Sequence, residues 1–187
     1  MALQSVKDIM LPLDDYAVVD EEATMLHALH ALDEAQKRLP PGRQPHRAVL
    51  VTDKNGHIVG KLGHLAFLSA LEPRYDEMGD LKTLSRVGMS AEFITSMMDS
   101  LRLWKEEVNT YVRRARNTKV KDAMHPVTEN IDENATIGEA IHRILMYQTL
   151  SLLVTRGDRV VGILRLSDLF SAVTGLIKAR AAREGTS

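Results

Sequence analysis

The sequence contains no cysteine in its 187 residues. This absence excludes a disulfide framework, catalysis by a thiol, and zinc or iron–sulfur centres with cysteine ligands. A surplus of positive charge is missing as well, since 24 basic residues stand against 25 acidic ones and the formal net charge is -1. Proteins that bind a nucleic-acid backbone usually carry such a surplus, so no nucleic-acid partner is expected.

Long hydrophobic runs are also absent from the sequence, and no secretory leader is expected. No apolar stretch reaches the roughly 20 residues that a membrane-spanning helix needs. The N-terminus has no basic segment followed by an apolar one. We therefore expect a cytoplasmic protein without a membrane partner. Its hydrophobic content of 44% is enough for a core in one or two small domains.

The most informative feature of the chain is an internal repeat. Three sequence anchors occur twice, in the same order and at nearly constant spacing. They are Val6-Lys7-Asp8-Ile9-Met10 with Val120-Lys121-Asp122-Ala123-Met124, Ala23-Thr24 with Ala135-Thr136, and Ile58-Val59-Gly60 with Val160-Val161-Gly162. Two copies are too few for a solenoid, so they indicate a pseudo-symmetric pair of structural units.

Each copy has the pattern of a strand, a helix, two strands and a second helix. Thr24 and Thr136 are suited to cap the first helix of their copies, and Asn55-Gly56 is typical of a tight hairpin. The last helix of the first copy should end by Pro73, and that of the second should begin near Ser167. These patterns predict an α+β fold, with mixed α/β layers built from two βαββα repeats.

An insertion over residues 73–118 separates the two copies, 1–72 and 119–187. Ser90 is suited to cap a helix there, and apolar side chains follow it at intervals of three and four residues. They are Ile94, Met97, Leu101, Trp104, Val108, Tyr111 and Ala115. This spacing predicts a single long α-helix over 90–117, roughly 42 Å in length. The helix packs either along its own two repeats or against a second subunit, and the sequence leaves both open.

The repeated anchors, together with Gly162-Ile163-Leu164-Arg165-Leu166-Ser167-Asp168-Leu169, resemble tandem CBS domains, the modules named after cystathionine β-synthase. The resemblance covers about residues 3–71 and 119–180, with the helical insertion suggesting a stand-alone bacterial type. It implies two repeats packed as a pseudo-twofold pair, often called a Bateman module, which in turn forms a homodimer. Such modules are sensors rather than enzymes, and they report a bound ligand to a protein partner, which the sequence does not identify.

The resemblance also implies a ligand. Clefts between CBS repeats hold adenine-containing molecules, so AMP, ADP or ATP is expected here, with NAD and S-adenosylmethionine ranked after them and no cofactor required. The family places a carboxylate six residues after the strand glycine, where it accepts hydrogen bonds from ribose hydroxyls. In this chain that residue is Asp168, and Ser167 lies where the ribose–phosphate region is contacted. The alternative for Asp168 is a plain helix N-cap.

Arg165 departs from the family pattern, which has a small hydroxyl residue at this position. The arginine can bind phosphate, block the pocket, or pair with a neighbouring carboxylate, and the sequence does not choose among these. The resemblance places the opposite wall of the cleft in the first copy. Its predicted residues are Pro12, Ala17, His46, Arg47 and Ala48. The proline-rich loop 39–45 leads directly into this wall and is placed to gate the site.

The equivalent site in the first copy looks degraded, because Ala66 stands where the ribose carboxylate is expected and Gly63 where the hydroxyl residue is expected. We therefore expect at most one strong nucleotide site per chain. The alternative function is a ligand-free homodimeric interaction module assembled through the inserted helix. His27 and His30 share a helical face, but no third ligand with suitable spacing accompanies them, so no metal site is predicted.

Overall fold

The computed structural model describes residues 5–73, 88, 90–101 and 107–184. Within these ranges the helices are α1 (Met25–Arg38), α2 (His64–Leu71), α3 (Ala91–Leu101), α4 (Val108–Asn117), α5 (Ile137–Tyr147) and α6 (Leu166–Glu184). The strands are β1 (Leu11–Pro12), β2 (Val18–Asp20), β3 (Ala48–Thr52), β4 (Ile58–Gly63), β5 (His125–Pro126), β6 (Asn130–Asp132), β7 (Ser151–Arg156) and β8 (Arg159–Arg165). None of the described helices is both long and apolar enough to cross a membrane.

The strands form two four-stranded sheets, ordered β1-β8-β7-β6 and β2-β3-β4-β5. The hairpins of the two copies have the same register, since Val51 lies opposite Gly60 as Val154 lies opposite Gly162. A register shift follows each of these two valines. The internal repeat is therefore a structural repeat, and the predicted mixed α/β fold class is confirmed.

Local sequence signals position the helices as expected. The hydroxyls of Thr24 and Thr136 accept hydrogen bonds from the backbone N–H groups of His27 and Glu139, at 3.2 and 3.1 Å. These bonds satisfy donors that the first turn of a helix leaves unpaired. Helix α2 ends at Leu71, two residues before Pro73.

Each sheet takes an edge strand from the opposite copy. Strand β1 comes from the first copy but pairs antiparallel with β8 of the second, with Leu11 opposite Ile163 and Pro12 opposite Gly162. Strand β5 of the second copy lies beside β4 of the first. The two copies are thus joined by strand exchange at the level of the backbone.

This exchange explains why a glycine and a methionine recur together in the repeat. A Cβ added at Gly162 would clash with the carbonyl oxygen of Leu11 and lie 3.2 Å from Met10 Sδ. A Cβ added at Gly60 would lie 2.5 Å from Met124 Sδ. Each glycine therefore makes room for the segment that begins with the Val-Lys-Asp-x-Met motif of the other copy.

The described chain forms two compact units. The first contains the chain up to Val18, Leu32–His46, and the chain from Pro126 onward. Its hydrophobic core combines residues from the opening motif, the sheet and both of its long helices. The buried members are Val6, Ile9, Ile131, Ala140, Ile144, Leu152, Val154, Leu164 and Leu169. This core holds strand β8 and helix α6, which carry Arg165, Ser167 and Asp168 of the predicted ligand-binding set.

The second unit contains Val19–Ala31 and Arg47–His125. Within it, helix α4 packs against α2. Arg114 Nη1 donates a hydrogen bond to the backbone oxygen of Leu71 at 2.5 Å and lies 3.5 Å from a carboxylate oxygen of Glu72. The C-terminal part of the insertion therefore packs on its own chain.

The prediction of one continuous helix over 90–117 is wrong. Helix α3 begins after Ser90, whose hydroxyl accepts a hydrogen bond from the backbone of Phe93 at 3.2 Å, but Glu107 is extended, with φ -82° and ψ 144°. A second helix starts at Val108. The apolar spacing in the sequence therefore continues across a residue, Glu107, whose backbone is not helical. Trp104 lies outside the described residues, and the packing of the apolar positions of the insertion against a second subunit stays a prediction.

Candidate functional site

The predicted carboxylate lies where a strand runs directly into a helix. Strand β8 ends at Arg165 and α6 begins at the next residue, so Arg165 and Asp168 lie about one helical turn apart. Both side chains are buried, at 6% and 5% exposure. Arg165 Nε donates to Asp168 Oδ2 at 2.5 Å, and Nη2 donates to Oδ1 at 2.9 Å. This bidentate arrangement matches the fork geometry that arginine favours with carboxylates.

The remaining donor of Arg165 holds the proline-rich loop. Its Nη1 donates to the carbonyl oxygens of Gln44 and Pro45, at 2.8 and 3.3 Å, and lies 3.4 Å from His46 Nδ1. Of the three alternatives for Arg165, pairing with a neighbouring carboxylate is the one present in this structure. The arginine therefore links the loop to the start of α6.

A second arginine, which the sequence did not single out, reaches the same carboxylate. Arg43 Nη1 donates to Asp168 Oδ1 at 3.1 Å and to the backbone oxygen of Ile9 at 3.4 Å. A carboxylate has about four acceptor positions, and the two arginines use three of them. One signal in the sequence could have pointed to Arg43, since this residue lies in the proline-rich loop that is predicted to gate the site.

Behind the ion pair lies a buried pair of aromatic rings. His46 is fully buried, and its ring meets that of Tyr16 edge-on, with centroids 4.5 Å apart and planes at 78°. The side-chain amide of Gln36 donates to the backbone oxygen of His46 at 3.2 Å and accepts from its backbone nitrogen at 2.9 Å. This clamp fixes the end of the proline-rich loop against helix α1.

Both rings are held in their neutral forms. Burial lowers the pKa of His46, and the positive charge of Arg165 acts in the same direction. Burial raises the pKa of Tyr16 to about 12, even though Arg165 opposes that shift. The charge of this part of the site therefore comes from Asp168 and its two arginines.

An open cavity of about 290 Å³ lies beside Asp168. This volume is at the lower end of the range for small-molecule pockets, roughly 300–1,000 Å³. The lining residues come from the opening motif, the proline-rich loop and α6. They are Asp8, Ile9, Gly42, Arg43, Gln44, Asp168, Ser171 and Ala172. Asp168 is the member of the predicted site that appears among them.

The other predicted residues lie in different surroundings. Ser167 is half-buried next to Asp168, Pro12 is exposed in β1, and Ala17 is buried just before β2. Arg47 is exposed and Ala48 is half-buried, and both belong to the second unit. The structure brings Asp168, Arg165 and His46 together, and whether the full predicted set binds a ligand stays a prediction.

The equivalent position in the first copy has a different character. Gly63 precedes α2 in an extended conformation, and Ala66 is buried in the first turn of that helix. A Cβ added at Gly63 would meet the backbone oxygen of Arg47 at 4.0 Å, which is an ordinary contact. The first copy therefore keeps the strand-to-helix junction without the ion pair. Within the described ranges, no cluster of three or more potential metal ligands occurs.

A family model described as CBS domain matches residues 6–72 and 120–175. Among solved structures, the chain is similar to the CBS domain of a CBS domain containing membrane protein from Sphaerobacter thermophilus. The identity is 17%, the TM-score is 0.60, and the match covers 90% of this chain and 86% of that one. A search of curated proteins finds no match.

Two further similar structures contain nucleotides. CBSX2, a CBS-pair protein of Arabidopsis thaliana, was solved in complex with AMP. It is 18% identical, with a TM-score of 0.56, and the match covers 92% of this chain and 97% of that one. The CBS domain of the bacterial CNNM/CorC family Mg²⁺ transporter was solved in complex with ATP. It is 16% identical, with a TM-score of 0.55, and the match covers 91% of this chain and 87% of that one.

The family match falls on the two copies of the internal repeat separately, and together the matched segments cover well over half of the sequence. The similar structures have the same fold over at least 90% of this chain. The chain therefore belongs to the CBS-domain family, as a tandem pair of CBS repeats.

Proposed function

We propose that this protein is a regulatory module that binds an adenine nucleotide, with AMP, ADP or ATP ahead of NAD and S-adenosylmethionine. The observation that carries the proposal is a buried carboxylate, Asp168, beside an open cavity in a member of the CBS-domain family. The nucleotides in the CBSX2 and CNNM/CorC structures support the choice of ligand class.

The charges of the site suit the two polar parts of a nucleotide. Asp168 is a hydrogen-bond acceptor for the vicinal hydroxyls of a ribose. Arg43 lies in the cavity wall and offers a planar, charged donor group to a phosphate. Because Arg165 is buried and pairs with both carboxylate oxygens of Asp168, it orients the carboxylate and does not line the cavity itself.

We further propose that the module reports its ligand through protein contacts, as a homodimer and to a separate partner, without enzymatic activity of its own. Support comes from apolar side chains exposed along helix α6. Phe170 is 66% exposed and Ile177 is 62% exposed, two helical turns apart. Large apolar groups on one face of a helix are typical of interaction surfaces. The cytoplasmic location predicted from the sequence stays a prediction.

One observation favours the second candidate, a ligand-free interaction module. Asp168 is already paired with Arg165 and Arg43, so its negative charge is compensated without any ligand. In that case the ion pair serves packing at the start of α6, and the exposed apolar faces are the functional part of the protein.

Thermal unfolding with AMP, ADP, ATP, NAD and S-adenosylmethionine separates the two candidates. A ligand at about 100 times its dissociation constant adds roughly 2.7 kcal/mol of stability, which corresponds to a shift of several degrees. Asp168→Asn should remove the ligand-induced shift, whereas Asp158→Asn, at an exposed turn of the same unit, should keep it. The shift on adding ligand is compared, because Asp168→Asn lowers the unfolding temperature by itself. No shift from any of the five would favour the interaction module.

A further inference from the structure

The two arginines on Asp168 differ in how firmly they are held. The side chain of Arg165 is 6% exposed and contacts Asp168, two backbone carbonyls and His46. The side chain of Arg43 is 35% exposed and donates from a single nitrogen, Nη1, to Asp168 and to the backbone of Ile9. Arg165 is therefore a fixed partner of the carboxylate, and Arg43 is a partner that solvent and ligands can reach.

The loop that carries Arg43 is anchored at both ends by one residue. The backbone oxygen of Gln36 accepts a hydrogen bond from Leu39 at 3.2 Å, and the Gln36 side chain clamps the backbone of His46. At the tip between these anchors, Gly42 has a φ of +82°, and a Cβ added there would meet nothing within 4 Å. The tip therefore projects into open space, and a backbone hydrogen bond from Arg43 to Pro40 at 3.2 Å closes its turn. The Arg43 side chain ties this tip to α6, whereas Arg165 holds the end of the loop at Gln44 and Pro45.

We propose that Arg43 is an exchangeable latch on the nucleotide site. In the ligand-free chain it closes the loop 39–45 onto α6 by pairing with Asp168. A ligand that carries both a phosphate and a vicinal diol opens the latch. The phosphate pairs with Arg43, while the hydroxyls of the diol donate hydrogen bonds to the Asp168 oxygen that Arg43 has released. This inference rests on the proposed function and adds the ligand chemistry and the regulation of its site.

The exchange is favourable only when both parts of the ligand are present. An ion pair that is partly open to solvent contributes little stability, so Arg43 can leave Asp168 at low cost once a phosphate compensates its charge. Asp168 keeps its buried partner Arg165 and so never becomes an unpaired buried charge. A nucleoside without phosphate must displace Arg43 and offers it no new partner. The latch therefore selects nucleotides over nucleosides.

Calorimetric titration of adenosine and AMP against three forms of the chain tests the latch. The forms are the unmodified protein, Arg43→Gln, and Arg159→Gln as a control that removes an exposed positive charge from the hairpin of the same unit. We expect AMP to bind the unmodified and control chains about tenfold more tightly than adenosine, or better, as for a charge-assisted hydrogen bond. In Arg43→Gln, adenosine should bind more tightly than in the unmodified chain, and the AMP advantage should fall below about threefold.

Three outcomes would overturn the proposal in distinguishable ways. If the unmodified chain binds AMP and Arg43→Gln keeps the full AMP advantage, the latch is wrong and the proposed function stands. If the unmodified chain binds neither ligand, both are wrong. Amide hydrogen exchange of the ligand-free chains gives a readout that needs no nucleotide, since loop 39–45 should exchange faster in Arg43→Gln than in Arg159→Gln. Equal exchange would contradict the closed state. Arg43→Lys keeps the positive charge but lacks the planar, forked donor group of arginine, so it should retain part of the preference for AMP over adenosine.

Discussion

The two copies of the repeat agree in their scaffold and differ at one junction. Both have a glycine under the exchanged strand, the same hairpin register, and a helix that starts directly after the second hairpin strand. At that start the second copy has the buried pair Arg165 and Asp168, and the first copy has Gly63 and Ala66. The junction therefore folds with or without the ion pair.

This difference separates the requirements of the fold from those of the site. The glycines recur because backbone from the other copy occupies the space that a side chain would need. The ion pair does not recur, and buried ion pairs can often be replaced by apolar residues without loss of stability. Its presence in one copy alone agrees with the proposal that the cavity beside this junction, which residues of both copies line, is the ligand site.

The largest effect is expected from removing one member of the buried pair. Asp168→Ala leaves the Arg165 guanidinium buried without its carboxylate, and we expect a loss of about 3–5 kcal/mol of unfolding free energy, measured by urea denaturation. The control is Glu184→Ala, which removes the partner of Arg180 from an exposed pair on the same helix and should change stability little. Replacing both Arg165 and Asp168 by leucine should recover most of the loss. Equal effects of Asp168→Ala and Glu184→Ala would contradict a buried, coupled pair.

Installing the carboxylate in the first copy sharpens the contrast. Ala66→Asp places a charge at a buried position without an arginine, and we expect a loss of roughly 2–3 kcal/mol. Adding Gly63→Arg should recover part of it, because the space at Gly63 admits a side chain and the spacing reproduces that of Arg165 and Asp168. A double-mutant cycle followed by urea denaturation gives the coupling energy. A double variant as unstable as the sum of its parts would show that the two junctions are not equivalent.

The shared glycines should differ in their tolerance of alanine. Gly162→Ala is expected to cost about 1–3 kcal/mol, because the added methyl group meets the backbone oxygen of Leu11. Gly60→Ala should cost less, since its nearest neighbour is the flexible side chain of Met124 and the closest backbone atom, the oxygen of His125, lies at 2.9 Å, farther than the oxygen of Leu11 lies from a Cβ at Gly162. Thermal unfolding of the two variants side by side checks the order. A larger loss for Gly60→Ala than for Gly162→Ala would mean that β1 packs less tightly on β8 than β5 packs on β4.

The smallest expected effect concerns pH. Because burial and Arg165 lower the pKa of His46 in the folded chain, the unfolded chain binds a proton there more readily. Stability should therefore be full above the ordinary histidine pKa of about 6.5 and fall as the pH drops below it. His46→Gln should flatten this part of the stability profile, measured by urea denaturation at several pH values. An unchanged slope in the variant would assign the acid sensitivity to other groups.

The scaffold could be predicted from the sequence because its signals are local or repeated. Thr136 caps helix α5 by accepting a hydrogen bond from the backbone N–H of Glu139, three residues later, and Gly162 belongs to a sequence anchor that occurs twice. The break at Glu107 could not be predicted, since the apolar spacing runs across it without interruption.

Long-range ion pairs limited what could be predicted of the site. Arg43 reaches a carboxylate 125 residues away through the conformation of a loop, which no short pattern encodes. For Arg165 the sequence left three roles open, which were binding phosphate, blocking the pocket and pairing with a carboxylate. Only the folded geometry shows that it pairs with Asp168, about one helical turn away.

We propose that the strand-to-helix junction of the second copy forms part of a nucleotide site and that the junction of the first copy does not. Calorimetric titration of the unmodified chain with AMP tests this proposal, because the stoichiometry counts the sites. We expect one AMP per chain, lost in Asp168→Asn and retained in Asp158→Asn. Two sites of similar affinity, or no binding at all, would contradict the claim.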